Sequence, residues 1–293
     1  MTLINETFTR ILSALILLPV YLFCIFSEYF FNIPLLLITI VISLSALYEF
    51  YQIASLKDKT KPFIVIGTIS AVTISVFFYL HSFANVYAFG KLFSTFDARF
   101  ILAVAFLTVL LIAVVQIFSR PLEGAIGSVS TTVFGIVFIA MSFSYMILMK
   151  ALPDGVFYIF ALHAVVMLND SAAYFGGVLL GRHKANIPAS PNKSIEGYFS
   201  GILVSIIAMI ILNEVYITFW DKKLFSIVEA GFVGLFLAVA GNIGDLIESA
   251  VKRDGGVKDS GRIIPGHGGM WDVFDALIIS LPLFYFYLKI KGV

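Results

Sequence analysis

Apolar residues dominate nine long stretches of this chain, near residues 11–27, 31–53, 63–83, 99–118, 129–149, 155–180, 198–218, 226–250 and 272–289, and polar residues gather in the short segments between them. A helix of about 20 such residues crosses roughly 30 Å of hydrocarbon. The pattern therefore predicts an all-α polytopic integral membrane protein with about nine transmembrane helices. The first stretch follows Arg10 and could mimic a secretory leader, but Phe26-Ser-Glu-Tyr-Phe30 offers no small-x-small cleavage pattern and a second apolar stretch follows at once. It is read as a membrane helix. With no repeat, no low-complexity tract and only short linkers, residues 1–293 read as a single membrane-embedded domain. Residues 1–150 would supply N-terminal helices and residues 151–293 a catalytic half.

Composition supports this reading. With 60% hydrophobic residues, 13% charged residues and 30 Phe among 293 residues, the chain has too little polar surface to cover a soluble globule. A net charge of +1 argues against a nucleic-acid partner, which demands a basic face. If the N-terminus is cytoplasmic, Arg10, Lys57, Lys59, Lys61, Arg120, Arg182, Lys184, Lys193, Lys252, Arg253, Lys258 and Arg262 fall on the inner side, leaving the other seven of 19 Lys and Arg outside. The positive-inside rule favours that orientation. It puts the loops after the sixth and eighth helices on the cytoplasmic side, where nucleotides are. Cys24 is the only cysteine, so no internal disulfide and no paired-cysteine metal site can form.

Residues 249–277 carry Lys252, Arg253, Lys258, Arg262, His267 and the acids Asp254, Asp259, Asp272 and Asp275, among glycines that include Gly255, Gly256, Gly268 and Gly269. Cations suit phosphate, carboxylates suit a divalent metal, and a glycine turn opening a helix lets amides approach an anion. Upstream, Asp245 and Glu248 lie i, i+3 on one face of the eighth helix, and Asp272 and Asp275 repeat that spacing on the next. Two such acidic pairs could converge on Mg²⁺. Glu248 has another outlet, as an i, i+4 ion pair with Lys252.

A second cluster runs from Asn169-Asp170 through Tyr174, then Arg182-His183-Lys184, then Ser190-Pro191-Asn192-Lys193-Ser194-Ile195-Glu196-Gly197. Asp170 lies deep in an apolar run, where an ionisable side chain points to function. Ser190-Pro191 has the form of an N-cap and first residue of the following helix. Lys193 and Glu196, again i, i+3, suit either a mutual salt bridge or a nucleotide and its metal. The N-terminal helices inform topology alone.

These motifs resemble those of the phosphatidate cytidylyltransferases. The resemblance rests on Ser249, Lys252-Arg253, Lys258-Asp259, Pro265-Gly266-His267-Gly268-Gly269, Asp272 and Asp275, and on Asp170 through Tyr174 and Ser190 through Gly197, with Ser194 where the family has Thr. It covers roughly residues 165–280; the N-terminal part agrees only in hydropathy and in Thr9-Arg10-Ile11. Val273 stands where the family has Arg. The resemblance implies transfer of CMP from CTP to phosphatidate in the membrane, giving CDP-diacylglycerol and pyrophosphate. It implies Asp245, Asp272 and Asp275 as ligands of Mg²⁺, with a second cation left open, and Asp245, Asp272, Lys252 and His267 as the catalytic set. Asp170, Lys193, Glu196, Arg253, Lys258, Gly268 and Gly269 would bind substrate, and a homodimer is left open. Two other readings fit parts of the pattern: a CTP-using polyprenol kinase, and an ion-coupled transporter using Asp170, Asp245 and Glu248. A transporter calls for related halves with broken helices, and none is visible.

Overall fold

The computed structural model describes residues 2–57, 60–83 and 98–293. Among them the secondary structure is helical, with only isolated β-bridges beside it. The helices are α1 (Thr2–Phe26), α2 (Ile33–Ala54), α3 (Ile64–Phe83), α4 (Ala98–Ser119), α5 (Ala125–Lys150), α6 (Gly155–Leu180), α7 (Ile195–Trp220), α8 (Ile227–Asp254) and α9 (Met270–Lys291). Each of the nine apolar stretches falls on one helix. Helices α2 to α9 contain segments long and apolar enough to cross a membrane, and in α1 the described apolar part is Leu15–Phe26. The chain is thus the all-α polytopic integral membrane protein its hydropathy predicts. Among the cations used to assign sidedness, Lys59 and the side chain of Arg10 lie outside the described residues.

The described residues divide into two compact units, Met1–Val156 with Val251–Phe274, and Phe157–Ala250 with Asp275–Val293. In the first, Tyr51 of α2 is fully buried between α3 and α5. Its ring occupies the space that side chains at Gly67 and Gly135 would need, within 2.6 Å and 2.7 Å of their notional Cβ positions. Its hydroxyl donates to the Thr132 carbonyl at 2.9 Å. Small residues let these helices approach, and the hydroxyl closes the contact with a hydrogen bond that lipid cannot supply. Close by, α5 widens into a π-type turn over Ile136–Met141.

In the second unit, Tyr158 of α6 is buried with Phe225 and Phe284 ring centroids at 5.9 and 6.0 Å. Glycines again set the helix spacing. A Cβ at Gly234 of α8 would stand 2.6 Å from the Ser205 carbonyl oxygen of α7. One local expectation fails here: Ser190-Pro191 does not open α7. Ala185 N–H donates to the Lys193 carbonyl at 2.9 Å and Ile195 N–H to the His183 carbonyl at 3.0 Å, while Lys193 N–H turns back to the Ser190 carbonyl at 3.3 Å, so Ser190-Pro191 lies in a turn rather than in a helix. The helix begins only beyond that turn. Ser194, in an extended conformation, is its N-cap and accepts the Gly197 amide at 3.1 Å.

Candidate active site

In the second unit, α8 and α9 meet at Gly244, where a Cβ would stand 2.6 Å from the Asp275 carbonyl oxygen. That contact puts the next residue of α8 beside the acid of α9. Asp245, Glu248 and Asp275 each bring a carboxylate oxygen within 4.8 Å of the others. Glu248 is fully buried and the other two are half-buried. At an effective dielectric near 20, two unit charges at that separation repel by about 3 kcal/mol, so three neighbouring carboxylates call for compensating positive charge. Lys193, from the loop before α7, supplies one such charge as an ion pair with Asp245. Three converging carboxylates are also a donor set for a hard divalent cation, so the chemistry of the group fits a metal.

Neighbouring polar groups in this unit brace the helices. Asn169 of α6, fully buried, donates through Nδ2 to Asn242 Oδ1 of α8 at 3.1 Å and to Asp170 Oδ1 at 3.2 Å. Asp170 itself is exposed. Glu196 folds back over the loop after α6, accepting the Arg182 and His183 amides at 3.1 and 3.2 Å and contacting His183 Nδ1 at 2.5 Å. Lys193 and Glu196 each have an ion-pair partner in this unit, Lys193 at Asp245 and Glu196 at His183.

The loop 255–269 belongs to the first unit. Lys252 Nζ donates to Asp272 Oδ1 at 2.7 Å, with both side chains about nine-tenths buried, at 12% and 10% exposure. Asp272 Oδ2 accepts the Ser260 and Gly269 amides at 2.8 and 2.7 Å. Asp272, expected beside the other metal-type acids, thus has its carboxylate engaged by a lysine, a serine and the start of its own helix. Gly268 has φ +98°, a conformation glycine tolerates best, and exchanges hydrogen bonds with Ile264. The amides of Gly268 and Gly269, expected to face an anion, are therefore taken by the protein's own acceptors. Lys258, Arg262 and His267 are exposed, and exposed Arg253 donates to the Val257 carbonyl at 3.1 Å.

Residues 8–291 match the cytidylyltransferase family. The chain belongs to that family. Among curated relatives it is 42% identical over 142 residues to the phosphatidate cytidylyltransferase of Staphylococcus epidermidis, covering 47% of this chain and 52% of the relative. The Bacillus subtilis phosphatidate cytidylyltransferase is 39% identical over 155 residues, covering 53% and 56%. That of Staphylococcus aureus is 40% identical over 139 residues, covering 47% and 52%. The chain spans about half the length of the curated relatives it matches.

For this cytidylyltransferase-family chain, spacing offers both acidic pairs and the resemblance implies Asp245, Asp272 and Asp275, whereas the acids grouped among the described residues are Asp245, Glu248 and Asp275. Sequence reasoning also passed over Glu49 and Ser260. Glu49 Oε2 accepts the Ser260 hydroxyl at 2.7 Å and the Trp271 amide at 2.9 Å. Its signal was present in the sequence: it is the one charged residue of α2, and an acid inside an apolar span is itself a reason to look for function.

Proposed function

We propose that the protein transfers CMP from CTP to phosphatidate, leaving CDP-diacylglycerol in the bilayer and releasing pyrophosphate. The observation that carries this reading is the grouping of Asp245, Glu248 and Asp275 on two apolar helices of a cytidylyltransferase-family chain, with Lys193 from the loop before α7 paired to Asp245. The names of the curated relatives point the same way.

In the reaction, a phosphate oxygen of phosphatidate attacks the α-phosphorus of CTP. The bond from that phosphorus to the α–β bridging oxygen breaks, and its electron pair leaves with pyrophosphate. The nucleophile is already an anion, so no side chain has to remove a proton from it. The barrier is electrostatic, because two phosphate groups must approach in line. Asp245, Glu248 and Asp275 would hold Mg²⁺, which when bound neutralises the triphosphate and the leaving oxygen. Lys193 counters charge at the same acids. Lys252, Arg253, Lys258 and His267 oppose the phosphate charge from the loop, with Lys252 oriented by Asp272. Asp170 lines the headgroup's route, and Glu196 fixes the loop bearing Arg182 and His183. The acyl chains stay in the bilayer while the headgroup enters from the cytoplasmic leaflet.

Purified protein should release pyrophosphate only when CTP, phosphatidate vesicles and Mg²⁺ are all present. Folded protein that releases none under these conditions would overturn the reading.

A further inference from the structure

Glu49 is 3% exposed and sits in the half of the chain where the sequence points to topology alone. Its carboxylate reaches the start of α9, a helix 221 residues further along. Oε1 accepts the Met270 amide at 2.8 Å, and Oε2 accepts the Trp271 amide at 2.9 Å and the Ser260 hydroxyl at 2.7 Å. The sequence gives the reason. Helix α9 starts after Gly269, so the capping position has no side chain to accept the first-turn amides. Asp272 reaches back to the Gly269 amide, which is one half of a capping box. Glu49 and Ser260 supply the other half from outside the helix.

The contacts form one chain. Ser260 Oγ lies 3.0 Å from Asp272 Oδ2 and accepts the Asp272 amide at 3.3 Å, and Asp272 in turn holds Lys252 at 2.7 Å. Two glycines leave room for it, since a Cβ at Gly261 would stand 2.5 Å from Glu49 Oε1 and one at Gly269 would overlap Ser260 Oγ. Other N-terminal residues grip the same loop. Ser13 Oγ donates to the Pro265 carbonyl at 2.8 Å, Lys57 pairs with Asp254 at 2.8 Å, and Gly255 packs on Ile53.

We propose that Glu49 is a positioning residue for nucleotidyl transfer, fixing through Ser260 and Asp272 where the Lys252 ammonium and the 255–269 loop stand when the phosphates arrive. The inference rests on the reaction proposed above. Glu49→Gln keeps the shape of the side chain but turns an NH₂ group toward donors, while Glu49→Asp keeps the charge on a shorter arm.

The test uses full-length protein in lipid nanodiscs, with hydrogen exchange and steady-state kinetics measured per folded molecule. Glu49→Gln should speed exchange across 258–271 at least fivefold and leave α3 unchanged. It should lower kcat at least tenfold with KM for phosphatidate within twofold, and Glu49→Asp should recover part of the loss. Ser260→Ala, which leaves Glu49 on Met270 and Trp271, should move both readouts in the same direction and carries the test if Glu49→Gln does not fold. A cap serving stability alone would lower the melting temperature and leave kcat and KM unchanged, and that result overturns the proposal. Unchanged exchange overturns it as well. Wild-type protein inactive on CTP and phosphatidate overturns the reaction instead, and exchange then decides by itself whether Glu49 holds the loop.

Discussion

Asp245 and Asp272 are equivalent by sequence spacing, each paired with a second acid three residues on, but their surroundings give them different chemistry. Asp245 belongs to a group of three carboxylates, whereas Asp272 holds Lys252 and the amides of Ser260 and Gly269. Asp245→Asn should therefore raise the Mg²⁺ concentration for half-maximal activity at least about tenfold and cut turnover by about 10²-fold or more, the scale on which lost transition-state charge stabilisation acts. Asp272→Asn should also cut turnover, by loosening Lys252, and leave the Mg²⁺ requirement near its wild-type value. Titrating activity against Mg²⁺ in both variants checks this. An equal shift in the two would make Asp272 a metal ligand, as the spacing implies. Residue chemistry was legible in part: Asp245, Asp275, Lys193 and Lys252 stand out by type and position. Their pairings were not, because Lys193 to Asp245 and Lys252 to Asp272 depend on which segments fold back on one another.

Helix interiors are set by local composition, and the nine long helices among the described residues could be read from hydropathy. Helix starts depend on what the preceding residues bond to, as α7 illustrates. A Ser-Pro pair is a good local start signal, but Lys193 N–H closes a turn on the Ser190 carbonyl and Ala185 bridges to Lys193, so the helix waits until Ser194, which becomes the cap. Ser194→Ala should cost about 1 kcal/mol, a fall of about 2–4 °C in melting temperature for a chain of this size. Ser190→Ala should stay within about 0.5 kcal/mol. Thermal melts of both variants in detergent give the comparison, and the opposite ranking would contradict the assigned cap. The start of α9 follows the same logic at longer range. Gly268-Gly269 reads locally as a cradle for an anion, yet carboxylates from α2 and from α9 itself take the first-turn amides.

At the scale of the whole molecule, the membrane architecture and the family could both be inferred from the chain. Apolar length and a dense C-terminal motif are strong signals that need no tertiary information. The contribution of residues 1–150 to the loop was hidden, because contacts such as Glu49 to Trp271 and Ser13 to Pro265 join segments more than two hundred residues apart. Cation placement and helix count make a prediction about sidedness. Single cysteines at Asn192 and Asp259, both exposed, in a Cys24→Ser background should react with an impermeant thiol reagent from the cytoplasmic face alone. Labelling from opposite faces would contradict the helix count between them. The phosphorus of CTP that is attacked decides the reaction, and labels at both ends of the triphosphate report it. With CTP labelled separately at the α and γ positions, the phosphatidate-containing lipid should take up α-label in a Mg²⁺-dependent way and γ-label should be released as pyrophosphate. Lipid carrying γ-label would reveal a kinase, and lipid carrying neither label would contradict nucleotidyl transfer altogether.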